Sequence, residues 1–137
     1  MALPRALLDT DILSAVMKGN PAVIARAHAY LEEHGALAFS LITRYEILRG
    51  LKAKKAAAQL EAFDRFCETC LILPLTDAIV IRAADIYAAL KERGEPIGDA
   101  DILISASALV HGLVVVTNNE DHFRRIPGLE VENWLKA

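Results

Sequence analysis

The chain has 137 residues, of which 54% are apolar and 24% charged, with a formal net charge of −3. That size and balance fit one globular domain spanning residues 1–137, large enough to bury a core, and exclude a disordered or fibrous chain. An acidic total argues against a protein that coats nucleic acid nonspecifically, while leaving room for a local acidic pocket beside a local basic patch.

Residues 1–8 form a short apolar run broken by Arg5, without the long apolar core and small-residue cleavage site of a signal peptide. No run of about 18 uncharged apolar residues occurs, so no membrane span is expected. The sequence reads as soluble and cytoplasmic.

Ala6 to Leu8 reads as a short buried strand that runs into the polar Asp9-Thr10-Asp11. Ile12 to Met17 reads as a short helix, stopped by Lys18-Gly19-Asn20-Pro21. Pro21 to His34 is helical in pattern, with Val23, Ala27, Tyr30 and Leu31 on one face and Gly35 closing it. A second strand is expected over Ala36 to Phe39, with Ser40 as N-cap of a helix from Leu41 to Arg49 that ends at Gly50. Lys54 to Glu68 follows as a helix with Leu60, Phe63 and Phe66 inward, then a third strand, Leu71 to Leu73. Asp77 to Arg93 reads as a long helix that buries Ile79, Ala83, Ile86, Tyr87 and Leu90. Asp99 to His111 is apolar nearly all round, which places it centrally. Leu113 to Val116 is the strongest strand pattern, and Leu129 to Val131 is an edge-strand candidate. Strands alternating with helices predict an α/β fold, a central parallel sheet of four to five strands with helices on both faces.

Ligands bind outside the carboxyl ends of strands in such sheets. Asp9, Thr10 and Asp11 follow the first strand. Ser40 follows the second, with Glu46 further along its helix. Thr117-Asn118-Asn119-Glu120-Asp121 follows the last, and Asp99 and Asp101 open the apolar helix. Ionised carboxylates gathered at one edge repel and are costly to bury. A divalent cation resolves this, and oxygen donors select magnesium or manganese. Such an ion suits phosphodiester hydrolysis. Each acid also has an ordinary reading. Asp99 serves equally as a helix cap, Asp101 as a partner of the helix dipole, Glu46 as a surface acid paired with Arg49, and Asp11 as a helix start.

Leu7-Leu8-Asp9-Thr10-Asp11-Ile12-Leu13-Ser14 resembles the opening motif of PIN-domain nucleases, VapC-type toxins in particular. Residues 40–50, containing Glu46, resemble the second motif, and residues 96–106, containing Asp101, resemble the third. Val116-Thr117-Asn118-Asn119, Phe123, Ile126-Pro127-Gly128-Leu129 and Glu132-Asn133-Trp134 resemble the C-terminal end. The resemblance implies a magnesium-dependent endoribonuclease in which manganese substitutes. Asp9 and Asp101 would be the metal ligands, Glu46 would hold a second ion or place the attacking water, and Asp99 would assist. The family's fourth acid falls at Asn119 or His122, neither acidic here, which weighs against a firmly held second ion; Asn119 retains a carbonyl oxygen to ligate or to orient water. The resemblance further implies cleavage of RNA, tRNA among the candidates, by metal-activated water to leave a 5′-phosphate. It also implies neutralisation by a VapB-type antitoxin, and a homodimer.

Arg44, Arg49, Lys52, Lys54 and Lys55 are candidate RNA contacts, or else a solvated helix face. Arg124 and Arg125 form a second basic pair. Leu51-Lys52 with Ala56 to Ala58 offers a groove for an antitoxin helix, or simply core. Cys67 and Cys70 have zinc-like spacing but no second pair, and read as packing thiols. Two other functions fit parts of the pattern. One is a haloacid dehalogenase-type phosphatase using Asp9-Thr10-Asp11, although Leu13 and the chain length fit it poorly. The other is a catalytically silent binding module.

Overall fold

A computed structural model describes residues 2–136. In chain order the elements are β1 (Ala6–Leu8), α1 (Thr10–Met17), α2 (Pro21–His34), β2 (Ala38–Ser40), α3 (Leu41–Ala53) and α4 (Ala57–Cys67). They continue with β3 (Leu71–Leu73), α5 (Asp77–Glu92), α6 (Asp99–His111), β4 (Val114–Val116), α7 (Glu120–Phe123) and β5 (Val131–Glu132). All strand pairing is parallel. β4 lies between β1 and β5, with Leu8 opposite Val116 and Val116 opposite Glu132. β2 pairs with β3, and this pair lies next to β1 without joining its ladder. The expected central sheet is therefore present as two hydrogen-bonded pieces. Strands of two or three residues offer few ladder bonds, so the twist between neighbours is enough to part β1 from β2.

Alternation along the strands sorts the core into two layers. Ala6, Leu8, Phe39 and Val116 face α1 to α4, packing with Ile12, Val23, Tyr30, Ile47 and Phe63. Leu7, Ala38 and Val115 face the other way, onto Ile104 and Ala108 of α6 and Phe123 of α7. α5 closes over α6 through Ile79, Ile86 and Leu90. Helices thus cover both faces. Among the described residues, no helix is long and apolar enough to cross a membrane.

Several boundaries differ from expectation. α1 begins at Thr10 because Asp9 already accepts the Thr10 N–H as its cap. α3 runs through Gly50 to Ala53, since Gly50 keeps a helical backbone and accepts from the Lys54 N–H. The basic stretch is consequently the last turn of α3 and its exit, where Lys55 takes a left-handed φ of 55°. Leu31 and Tyr87 are exposed, each lying one position past the buried stripe of its helix. α7 follows Asn119, and the edge strand begins at Val131, two residues later than expected.

Candidate active site

Parallel pairing brings the ends of β1 and β4 together, and the acids meet there. Asp9 follows Leu8 directly and continues the ladder, its N–H donating to the Val116 carbonyl at 2.9 Å. The residue is only 6% exposed. Oδ1 accepts from the Thr10 N–H at 2.7 Å and Oδ2 from the Thr117 hydroxyl at 2.8 Å. Burial, followed by the Asp11 charge, pushes the Asp9 carboxyl up to about 7, against the opposing pull of those two hydrogen bonds; the charge of Asp101 adds a smaller push upward. Asp11 lies on the same edge. Its Oδ2 accepts from the Asn118 N–H at 3.1 Å, and burial raises its pKa as well.

Thr10 turns the opposite way from its two neighbours. Its hydroxyl donates to Glu46 Oε1 at 2.6 Å and lies 3.1 Å from the Thr43 hydroxyl of α3. Glu46 is thereby tied to the β1–α1 junction, and Arg49 one turn later approaches it at 3.7 Å. Glu46 thus pairs with Arg49, as the ordinary reading expects, and is linked through Thr10 to the β1–α1 junction.

Asp101 sits in the first turn of α6, where its Oδ2 lies 2.9 Å from His122 Nδ1. Asn119 caps the approach to α7. Its N–H donates to the Thr117 hydroxyl at 2.9 Å, and its side-chain nitrogen lies 2.8 Å from His122 Nδ1. Asp99 is the first residue of α6, not its cap, which is Gly98. It is exposed and takes no part in the hydrogen bonds that join the other acids.

The loop after β4 thus touches Asp9, Asp11 and, through His122, Asp101. It is braced from behind by the C-terminal segment. Buried Asn133 donates to Asn118 Oδ1 and to Glu120 Oε2, each at 3.1 Å. Glu120 also accepts from Arg124 and pairs with Lys136, and these partners hold its carboxyl down to about 2. Thr117 and Asn133 join the site although their positions in the sequence predict no chemical role, and Asp11 joins it beyond its expected place as a helix start. The doubled Asp after a strand and the Thr at a strand end were the available signals; nothing local marked Asn133.

The basic candidates divide. Arg44 is spoken for, 3.1 Å from Cys67 Sγ, 3.5 Å from Asp64 and stacked over Phe63. Arg49 stacks over Tyr45. Lys52, Lys54 and Lys55 are exposed at the end of α3. Cys67 and Cys70 are free thiols raised by burial, which suits packing and not reactivity.

Among the described residues, no three His, Cys, Asp or Glu side chains already form a coordination shell. Asp9 and Asp101 still fit a hard cation. Magnesium is usually held by one or two carboxylates, with water and substrate phosphates completing the shell. A positive charge there would also favour the ionised Asp9 that burial opposes.

The sequence model described as the PIN domain matches residues 6–129. Ribonuclease VapC1 of Haemophilus influenzae is 30% identical over 131 residues, 95% of this chain and 98% of that protein. The tRNA(fMet)-specific endonuclease VapC of Shigella flexneri is 31% identical over 129 residues, 93% and 96% of the two chains. The solved structure of VapBC-1 from nontypeable Haemophilus influenzae superposes with a TM-score of 0.85 at 30% identity, covering 96% of this chain and 98% of that one. Sequence and fold agree, and the chain belongs to the PIN-domain family, among relatives of the VapC ribonucleases.

Proposed function

We propose that this chain is a divalent-cation-dependent endoribonuclease and the toxin of a toxin–antitoxin pair, acting in the cytoplasm. The observation that carries this is Asp9, buried at the end of β1 and bonded to Thr117, with the charges of Asp11 and Asp101 near it and Glu46 tied to the neighbouring Thr10. Asp9 and Asp101 are the residues to hold magnesium, or manganese in its place. When bound, the ion supplies the positive charge that activates water and steadies a phosphoryl oxygen. Glu46, fixed by Thr10, positions the water that attacks an RNA phosphodiester and leaves a 5′-phosphate. Asn119 orients that water through its amide, and Asp99 contributes charge at the rim.

Lys52, Lys54 and Lys55 are the free cations suited to the RNA backbone, with Arg49 beside Glu46 as a further contact. Arg44 is assigned to the fold. The relative named as tRNA(fMet)-specific makes tRNA the first substrate to try. The VapBC-1 neighbour supports a VapB-type antitoxin as partner. Val80 and Ile81, exposed on α5, are apolar side chains that a homodimer would cover. Family membership favours this reading over the phosphatase and the silent module.

Cleavage of bacterial RNA by the purified, partner-free chain tests the proposal. Cutting is expected with magnesium or manganese, is abolished by chelator, and falls by at least about 100-fold in Asp9→Asn and Asp101→Asn. Undiminished cutting in both variants, or none by folded protein with either ion, would sink it.

A further inference from the structure

Tyr87 falls on the face of α5 where the sequence pattern expects core, yet the residue is 48% exposed. It lines a cavity of about 160 Å³ between the end of α5 and the loop that enters α6. Buried Leu90, Ile97 and Ile102 give this cavity an apolar floor, and Lys91 and Pro96 complete its lining. The wall formed by the loop is braced. Arg125 donates to the Pro96 carbonyl at 3.1 Å, Arg93 donates to the Arg125 carbonyl at 2.9 Å, and Arg93 pairs with Glu95 at 3.0 Å. These bonds hold the loop against the segment after α7, so the cavity is preformed, as small-molecule sites usually are.

Size, surface and charge point to one kind of occupant. An apolar cavity of about 150 Å³ admits benzene, so this one takes a single six-membered ring. Tyr87 offers it an aromatic face, and the unpaired bases of RNA stack on such faces. The Lys91 ammonium lies 5.9 Å from the centre of the Tyr87 ring. Among the described residues no carboxylate pairs with it, which leaves its charge for a phosphate beside the ring. The cavity also adjoins the acids. Ile102 follows Asp101 in the first turn of α6, and Ile97 lies two residues before Asp99.

We infer that this cavity is a base subsite: it takes the pyrimidine ring of a nucleotide next to the cleaved bond, stacked on Tyr87, with its phosphate toward Lys91. A purine places one ring inside and leaves the other at the mouth, so pyrimidines are favoured. The inference rests on the nuclease reading for the presence of RNA; the cavity and its choice of base are what it adds.

The test is a titration of the metal-free chain, labelled at its isoleucine methyl groups, with uridine 5′-monophosphate, adenosine 5′-monophosphate and ribose 5-phosphate, followed by nuclear magnetic resonance. The Ile97 and Ile102 methyl signals should move with the uridine nucleotide. It should bind at least about fivefold more tightly than ribose 5-phosphate, the lower end of what one stacked base contributes, and more tightly than the adenosine nucleotide. Tyr87→Ala should weaken uridine nucleotide binding at least about fivefold, and Tyr87→Phe, which keeps the ring, should hold it within about twofold. Melting checks that the variants are folded; if Tyr87→Ala does not fold, the methyl signals and affinities of the native chain decide alone. Unmoved Ile97 and Ile102 signals, equal affinity for ribose 5-phosphate, adenosine bound as tightly as uridine, or undiminished binding in folded Tyr87→Ala would each overturn the inference. So would signals that follow protein concentration and not nucleotide, the mark of a second copy of the chain over the cavity. RNA cleavage by the same samples, with magnesium restored, separates the two readings. Nucleotide in the cavity without cleavage overturns the ribonuclease and keeps the nucleotide site; cleavage without methyl shifts does the reverse.

Discussion

Asp9 holds its proton to about pH 7 in the folded chain, against 3.8 for an ordinary aspartate. Between those values the folded state binds a proton that the unfolded state has released, so stability falls as pH rises through the window and levels off above it. The slope from this group alone reaches about 1.4 kcal/mol per pH unit. Glu120 works in the opposite sense, its contribution being lost only as pH falls from 4.5 toward 2, outside most of that window. Thermal melts of the metal-free chain from pH 4 to 8 should therefore show falling stability in the native protein and a flatter profile in Asp9→Asn. Magnesium or manganese added at pH 8 should raise the melting temperature of the native chain and leave that of the variant nearly unchanged. At this scale Asp9, Asp11, Asp99 and Asp101 were legible because each stands beside a strand end or opens a helix, while Glu46, inside α3, stood out only through its family motif. Asp11 does stand in the first turn of α1, as a helix start, but its link to the Asn118 N–H is not legible because that partner lies 107 residues away. Arg44 was grouped with the lysines because sequence spacing does not reveal Cys67 and Asp64 on the facing helix.

Elements with strong stops were read almost to the residue. α2 is opened by Asn20 and Pro21 and closed by Gly35 at a left-handed φ of 81°, and its bounds match the pattern. Gly112 closes α6 in the same way at 67°. Gly50 looks identical in sequence yet lies within α3, without a positive φ. The two glycines should respond oppositely to alanine, although neither would crowd a neighbour. Gly50→Ala should stabilise by about 0.5–1 kcal/mol, since alanine loses less backbone freedom in a helix. Gly112→Ala should destabilise by about 1 kcal/mol or more, since a β-carbon strains the left-handed backbone. Denaturant titration of both variants checks the pair. α7 escaped the sequence reading because a four-residue helix has no periodicity to detect, and α4 starts three residues later than expected because no side chain marks its start.

The whole molecule follows from alternation within very short strands, and this was legible: apolar runs broken by polar ends gave the parallel sheet and both helical layers. The parting of the sheet into two ladders was not, because it depends on twist accumulated between strands distant in sequence. Equally hidden was the weight carried by the last residues. Trp134 is buried against Tyr30 at 5.8 Å between ring centroids, in the layer of α1 to α4. Trp134→Ala should cost about 3–5 kcal/mol, measured as a lower denaturation midpoint. Beside it, Asn133 secures the loop that reaches Asp9, Asp11 and His122. This has a consequence for synthesis. Asp9 leaves the ribosome well before its Thr117 partner, which follows 108 residues later, and the Asn133 brace comes later still. A growing chain therefore carries Asp9 and Asp11 without the loop that fixes them until that loop and its brace have both been made.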